Sequence, residues 1–281
     1  SVAVRSVDHS EFVTKKTVHV PNAGAPAGVQ KNRRVFPAEV KEREDVDLSY
    51  EIDEYTVDPL RIPDSETVEL SYNKRESVIR QSKNKLADEV HTDMIYNWIP
   101  ESGVAVIKTT GKSIPAYTKG ATGNRLAMTR ETVEQAQTQF DEWNIPEMGR
   151  CMLLDARMYN QLMNSLSDGE KTNFNAGVDL SRGVIGHFLG FDFYKRSRVA
   201  RVSADGTPKP WSAVGETTDC AAGLAWHEDY VSRALGAAKM FDNPGNPLFY
   251  SDILSFLQRA GGKYIFADKS GILLIRQDTA A

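Results

Sequence analysis

Residues 41–100 read KEREDVDLSYEIDEYTVDPLRIPDSETVELSYNKRESVIRQSKNKLADEVHTDMIYNWIP, an acidic arm running directly into a helix. In the arm, Val46, Leu48, Tyr50 and Ile52 alternate with polar residues going out, and Val68, Leu70 and Tyr72 do so coming back. Period-two alternation marks strands with one covered face. Pro59 and Pro63 lie between the two runs and suit a turning tip, so a hairpin is expected over residues 41–73. Asn73-Lys74-Arg75-Glu76 has the form of a capping box, with Asn73 as cap and Glu76 reaching back. Ile79, Leu86, Val90, Met94 and Trp98 then recur at helical spacing until Pro100. That predicts a helix of about 25 residues, roughly 37 Å long. The hairpin carries too few apolar residues for a core of its own. Its face of Val46, Leu48, Tyr50, Val68, Leu70 and Tyr72 is therefore expected to be a subunit interface, covered by another copy of the chain. The acidic residues Glu42, Glu44 and Asp45 are candidates to meet basic residues of that neighbour, such as Arg80, Lys83 or Lys85, or else form a solvated face.

Composition narrows the function classes. A chain of 281 residues with 41% hydrophobic and 26% charged residues is ordinary for a globular protein of one large or two modest domains. The net charge of -4 argues against a surface built to grip phosphates. Two distant cysteines, Cys151 and Cys220, exclude a disulfide framework and a cysteine-rich zinc module. No apolar stretch approaches the roughly 20 residues needed to cross a bilayer, and residues 1–30 lack a signal-peptide pattern. Ser1 is compatible with removal of an initiator methionine or of a longer leading segment.

Residues 1–40 read as an extended arm, with Val2, Val4, Val7, Val13, Val18 and Val20 interspersed among polar residues before a Pro/Gly-rich stretch at 21–28. Such an arm is expected to be disordered or ordered by a neighbour. A second helix is predicted from Thr129, with Val133, Ala136, Phe140 and Trp143 on one face, ending before Pro146. Cys151 to Leu154 reads as a buried strand, and Asp155 caps a third helix carrying Met158, Leu162 and Leu166. Ser167 to Asn175 reads as a polar loop, Phe191 to Tyr194 as a strand, and Lys195 to Asp219 as largely loop. A strand near Ala221–Ala225 precedes an expected short helix over Glu228–Leu235. The last third carries strand patterns at Ile253–Gln258, Tyr264–Phe266 and Ile272–Ile275. Helices and strands mix without a βαβ rhythm, which favours the α+β class.

The search for chemistry returns nothing specific. Thr110-Gly111-Lys112-Ser113 ends like a phosphate-binding loop, but Val106 stands where that loop needs a glycine, and Pro115 follows two residues later. Gly183, Gly186 and Gly190 miss the dinucleotide spacing. His9, His19, His91, His187 and His227 form no helical pair or cluster of the zinc type, and no Gly-x-Ser-x-Gly elbow occurs. No catalytic residue, cofactor site or metal site is expected, and the chain is not read as an enzyme.

The order of these elements resembles that of a tailed-bacteriophage major capsid protein of the HK97-like fold, over nearly the whole chain. Residues 1–40 resemble its N-terminal arm, 41–73 its extended E-loop hairpin and 74–124 its peripheral domain with the spine helix. Residues 125–236 resemble the axial domain, with Gly186-His187-Phe188-Leu189-Gly190-Phe191-Asp192-Phe193-Tyr194 similar to the glycine-then-strand segment found there. Residues 237–281, with Arg259-Ala260-Gly261-Gly262-Lys263 and Asp268-Lys269-Ser270-Gly271, resemble the return to the peripheral domain. The resemblance implies self-assembly into hexamers and pentamers of an icosahedral shell that encloses double-stranded DNA without sequence preference. It also implies a location in the virion after assembly in host cytoplasm, with portal, scaffolding and decoration proteins as further partners and no membrane. The charged scaffolding segment that some relatives carry is not seen ahead of the arm, so it is expected either to have been removed or to be replaced by a separate protein, and no lysine lies between Tyr55 and Ser71, so their Lys–Asn cross-link is not expected here. An encapsulin-type shell around a protein cargo is the alternative on the same fold. A nucleotide-binding enzyme using Gly111–Ser113 is the alternative from another class.

Overall fold

Arg150–Asp155 is a strand of six successive buried residues, a pattern that only a strand covered on both faces can hold. It is central to the larger of two main sheets in the computed structural model, which describes residues 2–22, 32, 46–63 and 74–280. Phe191–Arg196 runs parallel to it on one side and Cys220–His227 antiparallel on the other. Gly186–Phe188 folds back on Phe191–Arg196 through a two-residue turn, Leu189 and Gly190, at φ 49° and 78°. Two positive φ values give the tight turn whose twist matches the flanking strands. Ala200–Val202 pairs with Cys220–His227, which is flanked on its other edge by Ile272–Arg276, itself parallel to Ala105–Lys108.

Alternation along these strands divides the interior in two. Cys151, Leu153, Leu224, Trp226, Ile272 and Leu274 enter one core, shared with the end of the long helix. Met152, Leu154, Phe193, Ala225, Leu273 and Ile275 enter the other, covered by the shorter helices. The first of these, Arg130–Glu142, buries Val133, Ala136 and Phe140 as its spacing predicts. Ala156–Ser165 begins at Asp155, whose carboxylate accepts from the Arg157 and Met158 N–H groups. The expected loop at Ser167–Asn175 is instead a helix, Asp168–Ala176, started by a Ser167/Glu170 capping box. It buries one apolar residue, Phe174, so it leaves no periodic signal.

The smaller sheet is built on two long antiparallel strands, Val231–Asn246 and Ser251–Tyr264. The helix expected over Glu228–Leu235 is a single 3-10 turn, Glu228–Tyr230, that leads into the first of them. Beyond Ala234 that strand is largely exposed, so it shows no one-face alternation, and its pairing overrides propensity. The strand pattern at Ile253–Gln258 continues without a break through Gly261 and Gly262 to Tyr264, where the strand ends, so Ile265 and Phe266 of the second pattern lie beyond it. Those glycines mark close approach: a Cβ on Gly262 would stand 2.8 Å from the Ser232 carbonyl oxygen and 2.9 Å from Trp98 Nε1.

The long helix is Lys74–Trp98, 25 residues as predicted, and it lies across Ser251–Tyr264. Its last turns bury Val90, Met94, Ile95 and Trp98, and the Trp98 indole donates to the Ser232 carbonyl at 2.8 Å. Pro59 does not mark a tip. Asp53–Thr56 and Leu60–Pro63 both pair with Ser251–Tyr264, with Pro59 in the step between them and Pro63 last in its strand. An edge strand tolerates proline at such positions. The outgoing run Val46–Glu51 pairs with Thr17–Asn22, placing Tyr50 opposite Val18 and Leu48 opposite Val20. The return run with Val68, Leu70 and Tyr72, the cap Asn73, and the acidic Glu42, Glu44 and Asp45 lie outside the described residues.

Candidate assembly surfaces

The first candidate is the far end of the long strand pair. Asn243-Pro244-Gly245-Asn246-Pro247 turns the chain, and Leu248, Phe249 and Tyr250 follow with 83%, 48% and 77% of their surface exposed. The turn is fixed by the Gly245 N–H donating to Asp252 Oδ1 and the Leu248 N–H to Asn246 Oδ1, each at 2.9 Å. Arg75, in the first turn of the long helix, donates to both Asp242 and Asp252 and ties helix to projection. Large apolar groups held in the open on an anchored tip mark a contact surface. Sequence reading missed it, although a Pro/Gly turn followed directly by three large apolar residues is a visible signal.

The second candidate is a pair of crossed loops at the edge of the larger sheet. Gly120 and Gly215 meet so closely that a Cβ on Gly215 would stand 2.0 Å from the Lys119 carbonyl oxygen. Buried Arg125 donates to the Thr122, Asn124, Thr217 and Asp219 carbonyls, so one guanidinium holds both loops. Arg201, 1% exposed, donates to the Pro210 and Ala213 carbonyls. Burial acts to raise the Asp219 carboxyl, but the Lys209 ammonium at 2.6 Å and the Glu216 N–H outweigh it and hold it below the ordinary range. Val214 stands 87% exposed at this stiffened edge.

The third region joins the sheets. Arg5 donates to the Tyr194 hydroxyl, to Glu228 and to Asp192, and its carbonyl accepts from the Trp226 indole at 2.8 Å. Val7–Asp8 then adds a parallel strand to Val231–Asn246 at Ser232 and Arg233. Residues 2–20, expected from the sequence to be disordered or ordered by a neighbour, are thus packed on the chain itself.

Of the hairpin face, Leu48 and Tyr50 are 8% exposed each and pack with Val18, Val20, Ile52 and Ala234 of the same chain. The cover expected from a second copy is supplied for these two by the first residues of the chain. Val46 pairs through its backbone with Asn22. Gly111 donates its N–H to the Ala127 carbonyl at 3.0 Å, and a Cβ there would stand 2.6 Å from that oxygen. Close packing accounts for this glycine. Among the described residues no three His, Cys, Asp or Glu side chains are grouped to hold a metal, and no helix is long and apolar enough to cross a membrane.

No family model matches the chain, and no curated protein matches it. Solved structures do. The capsid of Ralstonia phage GP4 superposes with a TM-score of 0.70 at 13% identity, covering 99% of this chain and 88% of that one. The capsid of cyanophage P-SCSP1u gives 0.65 at 17% identity, covering 98% and 87%. A virus-like particle from Pyrococcus furiosus gives 0.58 at 10% identity, covering 98% and 91%. A long helix laid on a projecting strand pair, joined to a mixed sheet with helices on one face, is thus an architecture shared end to end with phage capsids, and the fold of this chain is HK97-like.

Proposed function

We propose that this chain is the major shell protein of an icosahedral phage capsid, assembling as hexamers and pentamers around double-stranded DNA. The observation that carries the reading is the overlap of 98–99% of the chain with phage capsids, together with an anchored projection whose tip is apolar and exposed. DNA is contained rather than gripped, in keeping with a net charge of -4. The hairpin segment 41–73 contributes to contacts between copies, through Glu42, Glu44 and Asp45 and through Val68, Leu70 and Tyr72. Portal, scaffolding and decoration proteins are the remaining partners, and the chain performs no catalytic step. Assembly takes place in host cytoplasm and the product resides in the virion.

The likeness to the Pyrococcus furiosus virus-like particle supports a second reading, an encapsulin-type shell around protein cargo. Particles purified from cells that carry the complete gene set distinguish the two. Nuclease-protected double-stranded DNA inside closed shells supports the capsid reading, and an enclosed protein in its place supports the second. A chain that stays monomeric at high concentration and never yields particles refutes both.

A further inference from the structure

The smaller sheet has two unlike flanks. On one side Val7–Asp8 covers Val231–Asn246 only at Ser232 and Arg233, and the Leu235 N–H donates to Ser10 Oγ at 2.9 Å. From Gly236 to Asn246 no strand among the described residues runs along that edge. An open edge of this length is a template for another strand. Bulges interrupt its register at Leu235/Ala238 and Asn243/Asn246, but between them Ala238–Asn243 pairs without a break and carries Lys239 among exposed Ala238, Met240 and Phe241. Between this edge and the long helix lies a groove of about 480 Å³ whose walls carry Lys83, Lys239 and His91 and no carboxylate.

On the other side, the outer edges of Asp53–Thr56 and Leu60–Pro63 are likewise uncovered among the described residues. The groove between these strands and the same helix, about 720 Å³, is walled by Glu54, Asp58, Glu89 and Asp93 with Lys85, and of these Glu54 is paired with Arg259 and Glu89 with Arg198. The flanks are complementary: each is a strand edge of one sheet, one brings lysines and apolar side chains, and the other brings carboxylates. Pairing either flank with itself sets like charge on like, which disfavours a two-fold contact.

The geometry points to one heterologous contact between copies. The edge Gly236–Asp242 of one copy receives the edge Asp53–Ile62 of the next, and the sheet continues across the subunit boundary. This rests on the self-assembly reading above and adds which surfaces meet. Each copy then offers one flank of each kind, so the contacts run head to tail and close into a ring if the rotation allows.

The test uses the full chain with Lys239→Cys and Asp58→Cys, separately and together, treated with a short bismaleimide. The native Cys151 and Cys220 are buried, which keeps the background low. The double variant is expected to give a ladder of dimers, trimers and higher species. A mixture of the two single variants should give dimers only, and neither single variant alone should cross-link. No ladder from the double variant, or dimers from either single variant alone, overturns the contact. Lys239→Glu and Asp58→Lys provide a second reading by sedimentation: each should raise the concentration needed for assembly at least tenfold, and the two combined in one chain should recover most of it. Negative-stain images of the unmodified chain are scored separately. A ladder without particles keeps the contact and sinks the shell, whereas particles without a ladder retire the contact and keep the shell.

Discussion

Replacing Gly262 by alanine should cost this subunit a large share of its stability. The new Cβ would stand 2.8 Å from the Ser232 oxygen, 2.9 Å from Trp98 Nε1 and 3.0 Å from Met94 Cγ. None of these is the free end of a mobile chain. Ser232 is backbone in a long strand, and Trp98 is fully buried against Trp226 with ring centroids 5.6 Å apart. The helix end must therefore lift. Overfilling a packed site costs about 1–3 kcal/mol, and pulling the indole N–H off its acceptor adds about 1–3 kcal/mol for a buried donor left unpaired. The loss is about 2–6 kcal/mol, set against a typical total of about 5–15 kcal/mol. Urea unfolding of unassembled subunits, followed by tryptophan fluorescence, measures it. Gly169→Ala is the control: it lies in the first turn of the helix Asp168–Ala176 with nothing within 4 Å of a new Cβ, so it should not destabilise and should gain less than the roughly 0.5–1 kcal/mol of a mid-helix glycine. A Gly262→Ala subunit within about 0.5 kcal/mol of the parent, below the roughly 1 kcal/mol expected of mild overpacking, would refute the role assigned to this contact.

Leu248→Asp with Tyr250→Asp should leave circular dichroism unchanged, because both side chains are exposed, while sedimenting particles disappear; unchanged particles would remove the tip from the assembly surface. Tyr50→Asp should unfold the subunit rather than merely block assembly, since Tyr50 is buried within the chain, and a cooperative melt at the parent temperature would contradict this. Asp219 has its folded pKa below the ordinary value near 4, so its contribution is complete above about pH 4 and is lost as pH falls through the lower, folded value. Asp219→Asn should accordingly lower stability at neutral pH and flatten the acid limb of a stability-against-pH curve, and an unaltered limb would count against it.

Elements that bury one regular face, form an unbroken apolar run or carry a cap were readable from the chain alone. The helices to Trp98 and from Thr129 leave a periodic signal, the strand at Cys151 a continuous apolar run and Asp155 an end signal. What escaped reading lacks such a signal. The helix after Ser167 rests on a single phenylalanine, and the outer half of Val231–Asn246 is exposed, so neither shows alternation. Gly261 and Gly262 read as a break because a glycine that admits an indole looks, in sequence, like one that turns the chain. The apolar face of Leu48 and Tyr50 was legible, but its cover was not, since a partner strand some 30 residues upstream is invisible to local pattern. The exposed tip at Leu248–Tyr250 does carry a visible signal, a Pro/Gly turn followed by three large apolar residues.

The insertion of Ile272–Arg276 between Cys220–His227 and Ala105–Lys108 has a consequence for timing. The larger sheet gathers strands from five distant parts of the chain, and the strand that seats Ala105–Lys108 is the last of them to be synthesised. Until residue 276 has left the ribosome, both cores lack a wall, because Ile272 and Leu274 line one and Leu273 and Ile275 the other. Pairings across such long separations also form slowly. A chain cut or stalled before residue 276 thus lacks a finished interior. Formation of the strand Ile272–Arg276 is thus the step that completes the subunit, and on the shell reading proposed above the order in which the sheet is threaded keeps unfinished chains out of a growing lattice.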